Sequence, residues 1–182
     1  LFVFAISAVV ILLGYKESVI SLLYDEHVAA SVAVFSILIP CIIPTSFTYV
    51  FGTLLTANGS LKKLNITALV GILVNIVVNI IMIPLWHARG AAVASLCTQS
   101  VVSLLQFIIA MRELKVPLRT LPWLSCLLFI TLLVPTVMIA SRHLHIHVLY
   151  SLILMLGAAL VYGIATRLID LRALRNTLIP KS

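Results

Sequence analysis

Charge is scarce in this sequence, and acid is scarcer than base: 9% of the 182 residues are charged, five of them acids and twelve Lys or Arg. Soluble domains carry about 25% charged residues and about 45–50% apolar ones. With 63% hydrophobic residues and a mean hydropathy of +1.25, a chain of this length cannot hide its apolar surface in one core, whereas lipid accepts it. The acids are Glu17, Asp25, Glu26, Glu113 and Asp170, four of them in loops or the tail. Paired intramembrane carboxylates, a nucleophile elbow and a phosphate-cradling glycine loop are all lacking, so no catalytic residues and no cofactor are expected. The three cysteines, Cys41, Cys97 and Cys126, lie far apart in apolar runs, without metal-type spacing, and read as buried structural thiols. A charged leader with a cleavage site is also missing, and the first methionine is Met82. The chain therefore reads as part of a longer protein whose N-terminal portion is not included.

What is present is a series of apolar runs. A helix needs about 20 residues to cross a hydrocarbon core of about 30 Å. Six spans are expected, making an all-α polytopic membrane protein: residues 1–24 with a polar interruption at Lys16–Glu17, 29–57 kinked by Pro40 and Pro44, 65–85, 91–111, 121–140 and 148–165. Asn58-Gly59-Ser60 stops the second span, and Trp86–Gly90 is a tight connection between the third and fourth. Residues 166–182 form a basic tail with amphipathic helical spacing at Leu168, Leu171, Leu174 and Leu178, which suits a helix on the inner leaflet or a plain disordered tail. Nine bases fall on one side of this arrangement, among them Lys62, Lys63, Arg112, Lys115 and Arg119, and three on the other, Lys16, Arg89 and Arg142. The positive-inside rule puts the first side and both ends of the segment in the cytoplasm. The net charge of +7 is a topology signal and a contact for anionic headgroups, since no basic patch interleaved with aromatics supports a nucleic-acid partner.

Polar residues inside the runs are the site candidates. Asn75 and Asn79 share a face with Gly71 and should point into the protein, either as glue to a neighbouring helix or as lining of a substrate path. The fourth span opens on the small-residue run Gly90–Ser95 and carries Thr98, Gln99, Ser103 and Gln106. Thr45, Ser46, Thr48, Tyr49 and Thr53 follow the kink, where hydroxyls can satisfy freed carbonyls in a hinge or in a static bend. Lys16 either faces a cavity, where it would attract a pyrophosphate headgroup, or snorkels to the interface and pairs with Glu17. His143, His145 and His147 are a polar connector or, as three imidazoles, a metal site; no metal is assigned.

At Gly52-Thr53-Leu54-Leu55-Thr56-Ala57-Asn58-Gly59, followed by Lys62-Lys63-Leu64-Asn65, the sequence resembles the polysaccharide biosynthesis exporters, the O-antigen and capsule-unit flippases of the multidrug/oligosaccharidyl-lipid/polysaccharide superfamily. The likeness continues through Gly71, Asn75, Asn79, Ile83-Pro84 and Gly90–Ala94, and upstream through Ile20–Tyr24; it is strongest over residues 20–112. The resemblance implies one six-helix lobe, the C-terminal half of a two-lobe exporter. Its cargo would be an undecaprenyl-pyrophosphate-linked oligosaccharide, moved across a bacterial cytoplasmic membrane by alternating access, and its partners that lipid, the bilayer and the missing N-terminal lobe. Lys16, Thr45, Tyr49, Asn75, Asn79 and Gln99 are then candidates for lining the cavity, though none matches a headgroup-binding position of the family. A cation-coupled drug exporter of the same superfamily, which usually carries a carboxylate at membrane depth, a lipid II flippase and a non-transporting membrane scaffold are the rival readings.

Overall fold

The computed structural model of the chain describes residues 1–114, 123–143 and 148–165. Every element among them is helical: α1 (Phe2–Gly14), α2 (Lys16–Leu23), α3 (Val28–Leu38), a 3₁₀ turn at Ile39–Cys41, α4 (Ile42–Ala57), α5 (Leu61–Leu114), α6 (Trp123–His143) and α7 (Val148–Ala165). The connectors at 115–122 and 144–147, with His145 and His147, and the tail at 166–182 lie outside the described residues.

The expected first span is not one helix. α1 and α2 meet at Tyr15 with a bend of 75°. Apolar content is continuous there, but Gly14 weakens the helix and Lys16-Glu17 start a new one, with Glu17 in the first turn, where an acid favours the positive end of the dipole. Alone, the 13 residues of α1 reach only about 20 Å.

The kink expected at Pro40 is present as the 3₁₀ turn, which absorbs the missing donor. Pro44 makes no second kink. It sits in the first turn of α4, where the backbone N–H has no helical partner anyway. α4 ends in a Schellman motif: Ser60 N–H donates to the Leu55 carbonyl at 2.9 Å and Gly59 N–H to Thr56 at 3.0 Å, with Gly59 at φ 74°. The expected stop at Asn58-Gly59-Ser60 is therefore in place.

α5 runs for 54 residues but is not straight. His87 (φ 49°, ψ −124°) interrupts it, and the chain doubles back, since Asn75 meets Thr98 and Thr67 meets Gln106. It is an antiparallel hairpin with legs at 61–86 and 88–114, each about 39 Å long. These legs take in the expected third and fourth spans and the tight connection between them.

Among the described residues, two helical stretches, Val28–Ala57 and Leu61–Leu114, are long and apolar enough to cross a membrane, or three if the bent α1–α2 pair is one span. That is fewer than the six separate spans expected. The break at Tyr15 divides the first, the third and fourth are fused into one helical stretch, and α6 contributes only the shorter apolar segment Leu127–Ser141.

Two cores hold the helices together. Ile11 of α1 and Tyr15 at the bend pack with Phe129, Leu133 and Val137 of α6 and Ala159 of α7. Phe51 and Leu55 of α4 pack with Ala110 and Phe107 of α5, extended by Phe47 and Phe2 into an aromatic cluster with ring centroids 4.5–6.4 Å apart. Outside these cores the usual distribution is inverted. The residues buried in α5 are small or polar (Thr67, Gly71, Gly90, Ala92, Ala94, Ser103, Gln106, Ala110), while Leu69, Leu73, Ile76 and Ile80 are 50–68% exposed. In water such a surface would aggregate. It is compatible with a helix that packs on small residues and presents its large ones to lipid.

Candidate functional site

Several polar side chains of the apolar stretch Leu61–Leu114 gather along the seam of the α5 hairpin. The two legs meet at about every fourth residue, so successive turns bring one pair each. Thr67 lies opposite Gln106, whose Nε2 donates to the Thr67 hydroxyl at 3.4 Å. One turn on, Gly71 leaves room for Val102; a Cβ there would stand 2.5 Å from Val102 Cγ2. One further turn on, Asn75 Nδ2 donates to Thr98 Oγ1 at 3.2 Å, and Asn79 Nδ2 donates back to Asn75 Oδ1 at 2.9 Å. Thr98 passes its own proton to the Ala94 carbonyl at 2.7 Å, so the ladder ends on backbone. At the closed end Gly90 lies against the backbone of Met82.

The seam is anchored at its open end by an ion pair between Lys63 and Glu113, which Ser60 joins through its hydroxyl at 3.4 Å from Glu113 Oε2. This is the one ion pair among the described residues. The Lys63 ammonium beside Glu113, more than any other influence, holds its carboxyl below the usual range. The contact puts Lys62, Lys63 and Arg112 at one end of the hairpin and Arg89 at the other, the separation that the counting of bases relies on.

The sequence-based candidates fall into two groups and two single residues. Asn75 and Asn79 form the ladder just described, inside the hairpin. Thr45 and Tyr49 are exposed on α4, with Tyr49 at 72%, and line a shallow, mostly apolar groove of about 330 Å³ with Leu1, Cys41, Ile42 and Ser46. Ser46 itself turns back onto the Ile42 carbonyl at 2.8 Å, as expected of a hydroxyl after a kink. Half-buried Lys16 at the α1–α2 bend and half-buried Gln99 on the second leg join neither group by a hydrogen bond or ion pair among the described residues. Lys16 is accordingly not paired with Glu17.

One further expectation needs correction. Cys97 is exposed and Cys41 half-buried, so these thiols are not core residues. Among the described residues no group of His, Cys, Asp or Glu is placed to hold a metal.

Among the described residues, three buried polar atoms lack a hydrogen-bond partner: Tyr15 Oη, Thr48 Oγ1 and Gln106 Oε1. Gln106 is the most constrained. Its side chain is 4% exposed, and its free oxygen faces Gly52 of α4, where an added Cβ would stand 3.3 Å away. Sequence reasoning noted Gln106 as a polar residue of the fourth span without giving it a role. Its spacing of seven from Gln99 and eight from Thr98 was the available signal that it shares their side of the helix.

Comparisons of the chain with protein-family models, with curated proteins and with solved structures gave no match. The fold and the site define an all-helical chain whose apolar helices suit a bilayer.

Proposed function

We propose that this chain forms one lobe of a lipid-linked oligosaccharide flippase in a bacterial cytoplasmic membrane. In this reading the apolar segments make six crossings: the bent α1–α2 pair, α3–α4 across the Pro40 turn, the two legs of α5, α6 and α7. Its basic end, with Lys62, Lys63 and Arg112, faces the cytoplasm. The lobe rocks against a second lobe in a longer chain, so that the glycan crosses between them while the polyprenyl tail stays in lipid. The reaction is movement without covalent change; the chain's contribution is a rigid hairpin and a pivot.

The observation that carries the proposal is the inverted α5 hairpin, with small and polar residues inside and Leu and Ile outside, coinciding with the stretch whose ordered residues resemble the exporters, Gly52 to Ala94. A drug exporter coupled to cations is less favoured, because the described residues carry no carboxylate deeper than Glu17, which is exposed at the bend of the first crossing, while Glu113 lies at the end of the hairpin. Thr45 and Tyr49, exposed on α4 beside the Pro40 turn, are the candidates for facing the second lobe, with Lys16 available to a phosphate.

Deleting the intact gene tests the proposal. Lipid-linked repeat units should build up in the inner leaflet, and complementation should clear them. Normal glycan export in a deletion strain that has no redundant flippase would overturn it.

A further inference from the structure

The closed end of the α5 hairpin carries a cleft of about 470 Å³ between Ile37 of α3 and Leu85, Trp86 and Arg89 of α5. Its lining combines two aliphatic side chains, an indole and a guanidinium. Arg89 is exposed and has no carboxylate partner among the described residues. The acids Asp25 and Glu26 precede α3, whose first residue, Val28, stands about 13 Å of helix from Ile37, beyond one screening length of about 8 Å at physiological salt.

The position of the cleft fits the same chemistry. The legs span about 39 Å, a little more than a hydrocarbon core of about 30 Å, so with the Lys63–Glu113 pair at one interface the cleft falls at the other. An exposed Trp beside an Arg at that depth is the arrangement that meets headgroups.

From this we infer that the cleft seats a membrane phospholipid with an anionic headgroup, its phosphate on Arg89 and the top of an acyl chain against Ile37 and Leu85. The site lies on the leaflet opposite Lys62 and Lys63, and it does not depend on what the protein carries.

Trp86 is its own reporter. With every other tryptophan of the protein, Trp123 included, replaced by Phe it is the sole tryptophan, and bromine on an acyl chain quenches an indole that it touches. The purified protein is placed in nanodiscs containing dibrominated phosphatidylglycerol or dibrominated phosphatidylcholine at equal mole fraction. Phosphatidylglycerol should be preferred about fivefold at Trp86, the size expected for one Arg against an anionic headgroup. Arg89→Gln should abolish the preference, Arg89→Lys should keep most of it, and Arg112→Gln at the opposite end should leave it intact. Native mass spectrometry of the protein with Trp123 in place gives a second measurement: fewer phosphatidylglycerol molecules retained by Arg89→Gln than by the unaltered protein. Equal quenching by both lipids, a preference that survives Arg89→Gln, or loss of the preference on adding millimolar inorganic phosphate would overturn the inference, the last because the site would then be one for a free anion.

Discussion

Adding one methyl group at Gly90 should open the α5 hairpin from its closed end. A Cβ at this position would fall within contact distance of the Met82 carbonyl oxygen, 2.5 Å from its carbon and 2.9 Å from Ile83 N. Ordinary carbon contacts lie near 3.5–4.0 Å, so the legs must part by about 1 Å, and the obstacle is backbone, which has no rotamer to swing away. Overpacking of this kind costs about 1–3 kcal/mol, here toward the upper end. Parting the legs by that distance also takes the 3.2 Å Asn75–Thr98 contact out of hydrogen-bond range, adding about 0.6 kcal/mol, the average for interhelical bonds in lipid. Gly90→Ala should therefore lose about 3 kcal/mol. Gly71→Ala meets only the end of the Val102 side chain and should lose about 1 kcal/mol. Gly157→Ala meets nothing within 4 Å and should gain slightly from helix propensity, by up to about 1 kcal/mol. Reversible unfolding in mixed micelles, titrated with a denaturing detergent, measures all three. Gly90→Ala matching Gly157→Ala in that titration would show that the legs do not meet at Met82, and the hairpin register would have to be abandoned.

Three other outcomes are expected. His87 occupies φ 49°, ψ −124°, the first central position of a type II′ turn, which glycine adopts without strain; His87→Gly should raise stability by about 1 kcal/mol, and a fall in the same titration would count against this turn. Asn75→Ala breaks both bonds of the ladder and Asn79→Ala only one, so the first should cost about twice the second, of order 0.6 kcal/mol per bond; a transport defect from Asn79→Ala with unchanged stability would instead make Asn79 part of a substrate path. The Glu113 carboxyl titrates below its ordinary value of 4.5 when folded, so its contribution is fully present above that value and is lost as pH falls through the lower, folded one. The stability difference between the unaltered protein and Glu113→Gln should accordingly be flat from pH 8 to about 5 and shrink toward zero in stronger acid; a difference that grew on acidification would contradict the ion pair.

The helical class, the bend at Pro40, the stop at Gly59 and the reversal near residues 86–90 were legible because each is written in local chemistry: an apolar run, a missing donor, a left-handed glycine, a polar break. The 75° bend at Tyr15 was not, because the apolar content on either side reads as one span and one glycine among hydrophobic neighbours is a weak breaker. Pro44 was misread for the opposite reason, since its effect depends on where the helix begins, which the 3₁₀ turn decides. The inward face of Asn75 and Asn79 followed from their spacing. Their partner, like that of Lys63 fifty residues away, depends on how two helices register, and periodicity along one helix contains no information about that. The six cavity candidates were chosen for polarity at membrane depth; polarity says that a group needs company, and here Asn75 and Asn79 find it in each other and in Thr98.

Helix α1 lies between the two cores, with Phe2 at one end in the aromatic cluster and Ile11 near the other end against Phe129 and Leu133. Among the described residues, the pair α6–α7 meets the rest of the chain mainly through this one short helix. It therefore joins two blocks like a dowel: any tilt of α4 and α5 that carried Phe2 with it would load the contact of α1 with α6, where Val137 packs close to Gly14.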